Sequence, residues 1–202
     1  MTIRKLPIFN TTVLAKLPQE RMDIDERATK NWNDTLKPVA AANEKTIDIL
    51  EPIGEDFFGS GFTAKRMSGA LRSIGDADVV VNINSPGGYV DEGATIYNML
   101  AQHKGHVTVR ILGMAGSIAS IIAMAGDTIE MAKASFFFVH NAHMVAVGNR
   151  FIMKQAAEDL RMFDDAMIGV YADRTGLPAR EVERLMDGKA QDGTLMNANT
   201  AI

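Results

Sequence analysis

His106-Val-Thr-Val-Arg-Ile-Leu-Gly-Met-Ala-Gly-Ser-Ile-Ala-Ser120 is the stretch on which the fold turns. It opens as an apolar run of strand character, Val107 to Leu112, and passes through the small residues Gly113, Ala115 and Gly116. From Ile118 to Ala125 it reads as a helix. Small residues let a chain turn sharply where a strand hands over to a helix, and the first N–H groups of the new helix lack intrahelical partners. Ser117 stands at that junction, so its hydroxyl would lie beside donors able to hold a developing anion.

The same alternation extends outward in both directions. Upstream, Asp78 to Asn84 is a continuous apolar run of the kind buried on both faces of a parallel sheet. Tyr89 to His103 follows as a helix with Ala94, Ile96, Tyr97 and Leu100 inward. Before these, Thr46 to Leu50 alternates like a strand, and Phe62 to Ile74 reads as a helix with Phe62, Met67, Leu71 and Ile74 on one face and Thr63 near its start. Downstream, Thr128 to Met131 and Phe136 to His140 are short strands. Asn149 can cap a long helix with Ile152, Ala156, Leu160, Phe163, Met167 and Tyr171 on one stripe, ended by Gly176. Pro178 opens a helix over Ala179 to Met186, and Asn197 to Ile202 reads as the beginning of another. Strand-helix alternation of this kind predicts an α/β fold with right-handed crossovers. Residues 1–43 form a mixed-charge arm with Pro7, Pro18 and Pro38, and its single Trp32 suggests that the arm docks. Residues 44–202 are expected to form the folded domain.

Bulk properties narrow the function. The chain has 202 residues, 47% of them hydrophobic and 23% charged, which is ordinary for a soluble globular protein. A net charge of -4 offers nothing to a nucleic-acid backbone. The absence of cysteine rules out disulfides and thiolate chemistry and is compatible with a reducing cytoplasm. Ile111 to Gly126 carries no charge, but as a helix it would span about 24 Å, short of the roughly 30 Å hydrocarbon core. Neither a signal peptide nor a membrane segment is expected.

A serine hydrolase needs an exposed hydroxyl, a base, and donors for the oxyanion. Ser117 is the candidate nucleophile and the backbone N–H of Ile118 one oxyanion donor. Ser120, one helical turn on, reads as core. Asn84-Ser-Pro-Gly-Gly88 ends a strand on the side where open α/β sheets hold ligands, so Gly87 and Gly88 let a substrate approach and Gly88 N–H is the second donor. His140 closes the run Phe136-Phe-Phe-Val139 and is the candidate base. Asp187 is the first choice for the acid that orients it, with Asp173 and Asp192 as alternatives. His140 and His143 have poor spacing for a metal on a strand and lack a third ligand, so no metal or other cofactor is expected. His103 and His106 read as surface residues.

Several of these motifs, in this order, resemble the ClpP family of serine peptidases. They are Ile83 to Gly88, Gly113 to Ala119, Ala123 to Asp127 and Phe138 to Asn141, and the similarity extends back to Ile53 to Phe58 and on to Thr175 to Leu177, Leu185 to Asp187 and Thr194 to Ala198. The similarity is greatest to the ClpP-like head maturation (prohead) proteases of tailed phages and prophages. It covers roughly residues 45–202. The resemblance implies a ClpP/crotonase-like spiral of ββα units with a protruding handle helix within residues 149–175. It also implies ring-shaped homo-oligomers and a substrate paired as an added strand along Gly88, Tyr89 and Val90. Gly116 stands where alanine is common in the family, and Asp187 fits the phage-like branch better than housekeeping ClpP. The closing segment of the family is missing after Ile202, which suggests a truncated or processed form.

The resulting expectation is an endopeptidase processing capsid or scaffold precursors, in the bacterial cytoplasm or inside the prohead. Three other readings compete with it. They are a housekeeping ClpP-type subunit fed by an ATP-driven unfoldase, a crotonase-like acyl-CoA enzyme, and a non-catalytic ring-forming assembly protein.

Overall fold

A computed structural model describes residues 44–55, 61–189 and 192–201, all within one of the two units into which the chain divides, Ala40–Ile202. The predicted arm over residues 1–43, with Trp32, lies outside the described residues. In chain order the elements are β1 (Thr46–Ile49), α1 (Ala64–Ile74), β2 (Val79–Ser85), α2 (Val90–Ala101), β3 (Val107–Gly116) and α3 (Ile118–Ala123). They continue with β4 (Thr128–Met131), β5 (Phe136–Val139), α4 (Arg150–Thr175), α5 (Ala179–Asp187) and β6 (Thr194–Asn197).

The six strands form one sheet in the order β1-β2-β3-β5-β6, with β4 also paired to β3. Every pairing is parallel except β5 with β6. β2 lies between two neighbours and buries Val79, Val80, Val81, Asn82, Ile83 and Ser85, as its unbroken apolar run predicts. The one buried amide among them, Asn82, donates through Nδ2 to Asp48 Oδ1 at 2.7 Å, while its Oδ1 is buried without a partner among the described residues. Thr63 caps α1, its hydroxyl accepting from Arg66 N at 3.2 Å, and Glu92 of α2 accepts from Ala64 N.

β3 continues beyond the predicted limit at Leu112. Its register against β2 slips between Ile83 and Ser85, so that Ser85 faces Ala115. Asn84 Oδ1 accepts from Met114 N at 3.1 Å across this bulge, and a Cβ on Gly113 would sit 2.4 Å from the same oxygen. The long strand then serves two partners along one edge. β4 pairs with Thr108 to Ile111, and β5 pairs with Met114 to Gly116. That arrangement brings the end of β5 level with the end of β3.

Two expectations are corrected. The helix predicted from Asn197 does not form over the described residues, which end at Ala201. Thr194–Asn197 is a strand antiparallel to β5, and a single turn follows, closed by Thr200 N and Ala201 N on Asn197 O, both at 3.0 Å. The Asn197 side chain accepts from Asn199 N at 3.0 Å, a local bond that competes with helix growth. The apolar stripe of α4 is also only partly core. Met167, Ile168 and Tyr171 are buried, but Ile152 and Phe163 are exposed, as are Phe151, Met153 and Met162.

Candidate active site

Ser117 occupies the cap position between β3 and α3 with φ 53° and ψ −130°. Among the described residues no other non-glycine has a positive φ. Its hydroxyl makes no capping bond to α3, so the residue fills a cap position without using its oxygen there. Its N–H donates to Phe138 O at 2.9 Å, which ties it to β5 two residues before His140.

The loop after β2 meets Ser117 from the other side. A Cβ on Gly87 (φ 103°) would lie 2.6 Å from Ser117 Cβ, and one on Gly116 would lie 2.9 Å from Pro86 O. These glycines are required by close approach. Ile53 N donates to Gly87 O at 2.9 Å, and Tyr89 N donates to Ile53 O at 3.0 Å. Both bonds flank Gly88, so its own N–H and C=O are turned to the opposite side, as alternation along an extended chain demands. A Cβ on Gly88 would strike Ile53 O at 2.0 Å. Gly88 and Tyr89 are exposed, whereas Val90 opens α2. The extended stretch free to receive a strand therefore ends at Tyr89, and Val90 contributes the helix start.

His140 follows β5 directly. Its ring stacks on Phe138 with centroids 5.0 Å apart and faces His143 at 4.5 Å. Burial, and next the neighbouring His143, hold its pKa below the ordinary imidazole value, against smaller upward pulls from the Asn141 backbone and then Asp192. The imidazole is thus neutral, and able to accept a proton, at neutral pH. Its Nδ1 is buried without a hydrogen-bond partner among the described residues.

The three carboxylates considered for that partner are not equivalent. Asp187, at the end of α5, accepts from Asn141 Nδ2 at 2.8 Å, so it holds the residue beside His140 and not the ring. Asp192 acts on the ring by charge. Asp173 is exposed on α4. Sequence reasoning missed Asp164, which accepts from Ala142 N at 2.7 Å and whose own pKa is raised by burial. It also missed Gly193, where a Cβ would come within 2.5 Å of His140 Cβ. Among the described residues no helix is long and apolar enough to cross a membrane. Nor do three or more His, Cys, Asp or Glu residues there gather as a metal site.

An α/β sheet with a strained serine at a strand-to-helix junction and an imidazole at the end of the adjacent strand defines a serine-hydrolase type of architecture. Residues 31–202 match the Clp protease family, and the chain belongs to that family of serine-type peptidases. It is 28% identical over 114 residues to an ATP-dependent Clp protease proteolytic subunit from Deinococcus radiodurans. That match covers 55% of this chain and 56% of the relative, so the chain spans about half the length of the curated relative it matches. A ClpP1 point mutant from Listeria monocytogenes has the same fold, with a TM-score of 0.64 at 20% identity. The match covers 78% of this chain and 85% of that one.

Proposed function

We propose that this chain is a serine endopeptidase in which Ser117 is the nucleophile and His140 the general base. The observation that carries this is Ser117 itself: a strained, uncapped serine bonded through its N–H to the strand that ends at His140. A substrate strand would lie along the free edge of Gly88. Ser117 Oγ attacks the scissile carbonyl carbon as its proton passes to Nε2 of His140. The carbonyl oxygen becomes an oxyanion received by the N–H groups of Gly88 and Ile118. The imidazolium then protonates the departing amine, and water, deprotonated by the same ring, hydrolyses the acyl ester and restores Ser117.

Asp187 is the proposed acid, which requires it to leave Asn141 for the unpaired Nδ1 when substrate binds. Catalytic hydrogen bonds commonly tighten only in that complex. Ser117→Ala should abolish peptide cleavage and fluorophosphonate labelling with the fold retained, and cleavage by that variant refutes the assignment. Asp187→Asn should cost far more activity than Asp192→Asn, and the reverse ranking would transfer the role to Asp192.

The physiological substrate we propose is a capsid or scaffold precursor, cleaved by a ring-shaped homo-oligomer of this chain. Working as a partner of an ATP-driven unfoldase is the second reading, favoured by the ATP-dependent relative. Mass spectrometry of a co-expressed capsid precursor, with wild-type or Ser117→Ala protein, tests the first. Stimulation of folded-substrate degradation by a Clp unfoldase and ATP tests the second.

A further inference from the structure

We infer that Ser120 and Tyr171 form a positioning pair that aims the Ile118 N–H, which rests on the peptidase reading above. Ser120 Oγ lies 2.5 Å from Ser117 O and 2.6 Å from Tyr171 Oη. A carbonyl only accepts, so the single Ser120 hydroxyl proton goes to Ser117 O, and Tyr171 must therefore donate to Ser120 Oγ. Burial raises the pKa of the Tyr171 hydroxyl and keeps it protonated as a donor. The direction of the chain is fixed: Tyr171 to Ser120 to the Ser117 carbonyl.

That carbonyl also accepts from Ser120 N at 2.9 Å, so one residue grips it twice. The carbonyl belongs to the Ser117–Ile118 peptide. Because the peptide unit is planar and trans, fixing the oxygen fixes the Ile118 N–H pointing the opposite way. A hydrogen bond to the carbonyl also polarises the same amide and strengthens its N–H as a donor. Packing alone does not call for these hydroxyls. Ser120 is fully buried and Tyr171 nearly so, and the helix that carries Ser120 is otherwise buried and apolar, with Ala119, Ile121, Ile122 and Ala123, so alanine and phenylalanine would serve. The pair also ties the buried end of α4 to the strained turn.

The test uses full-length protein with selective ¹⁵N-isoleucine labelling, the Ile118 signal being assigned with Ile118→Val. Ser120→Ala should move the Ile118 amide resonance, and Tyr171→Phe should move it less in the same direction. On a peptide substrate, Ser120→Ala should lower kcat about tenfold to a hundredfold with KM little changed, below the loss for deleting an oxyanion donor outright. Tyr171→Phe should lose less, and the double variant no more than Ser120→Ala, since both act through one carbonyl. An unmoved Ile118 signal, unchanged kcat in Ser120→Ala, or multiplying losses would overturn the inference. If wild-type protein neither cleaves peptides nor reacts with fluorophosphonate, the peptidase reading fails, and the Ile118 resonance still decides whether the pair aims that amide.

Discussion

Ser117 holds a conformation, φ 53° and ψ −130°, that costs a non-glycine residue about 1–3 kcal/mol. Such strain persists only where neighbours over-determine it, here the bond to Phe138 O and the close contact with Gly87. Ser117→Gly should therefore abolish activity while leaving stability unchanged or raised by up to about 1 kcal/mol, the relief of strain being partly offset by the greater freedom of glycine when unfolded. Urea denaturation of both proteins measures this, and a clear loss of stability would show that no strain is stored. His140 makes a second prediction. Its lowered pKa means the base form persists below the ordinary imidazole range of about 6.5. The acid limb of kcat/KM should fall below that value, and His143→Asn should shift it upward by removing a neighbour that opposes protonation. The same sign holds for stability. The unfolded state binds the proton more readily, so the contribution of His140 is full above about pH 6.5 and is lost as pH falls toward its folded pKa.

The ends of β3 and β5 and the glycine loop after β2 converge on the site at the level of elements. Gly87→Ala would drive a Cβ to within 2.6 Å of Ser117 Cβ and 2.7 Å of Gly116 O, at a φ of 103° that favours glycine. We expect a loss of about 1–3 kcal/mol from overpacking, with labelling of Ser117 slowed further because the nucleophile is displaced. Thermal melts and labelling rates on the same samples separate the two effects. The strands and helices around this junction were legible because each has a strong period or an unbroken apolar run, as in Val79 to Ile83. β6 was not, because Thr194–Asn197 is short and half exposed, and its pairing depends on a partner far back in the chain. Asp164 left no sequence signal at all. A carboxylate on a helix face reads as solvated, and its ligand is a backbone N–H that only the fold brings near. The bond between Asp187 and Asn141 was hidden for the same reason. Ser120 was legible as buried, but its link to Tyr171 was not.

At the scale of the described unit, α4 is the element that leaves the most large apolar side chains exposed among the described residues. Its 26 residues carry a regular apolar stripe, and periodicity cannot tell whether such a stripe faces its own core or another chain. Phe151 is 66% and Met162 65% exposed, with Ile152, Met153 and Phe163 also open. The ion pairs Lys154–Glu158 and Arg161–Asp165 lie along the same helix and contribute little to stability at a wet surface. Large apolar side chains exposed together on one helix are what an association surface would use. Self-association that covers it would bury each large side chain for about 2 kcal/mol. Phe151→Glu should therefore weaken the contact by roughly thirtyfold or more, moving the sedimentation profile toward smaller species at fixed concentration. Because Phe151 touches solvent in the protomer, the same change should leave the unfolding free energy of the isolated chain within about 0.5 kcal/mol. An unchanged sedimentation profile would mean that Phe151 and its exposed neighbours are not where copies meet, and a collapse in stability would mean that the helix is needed for the fold of a single chain.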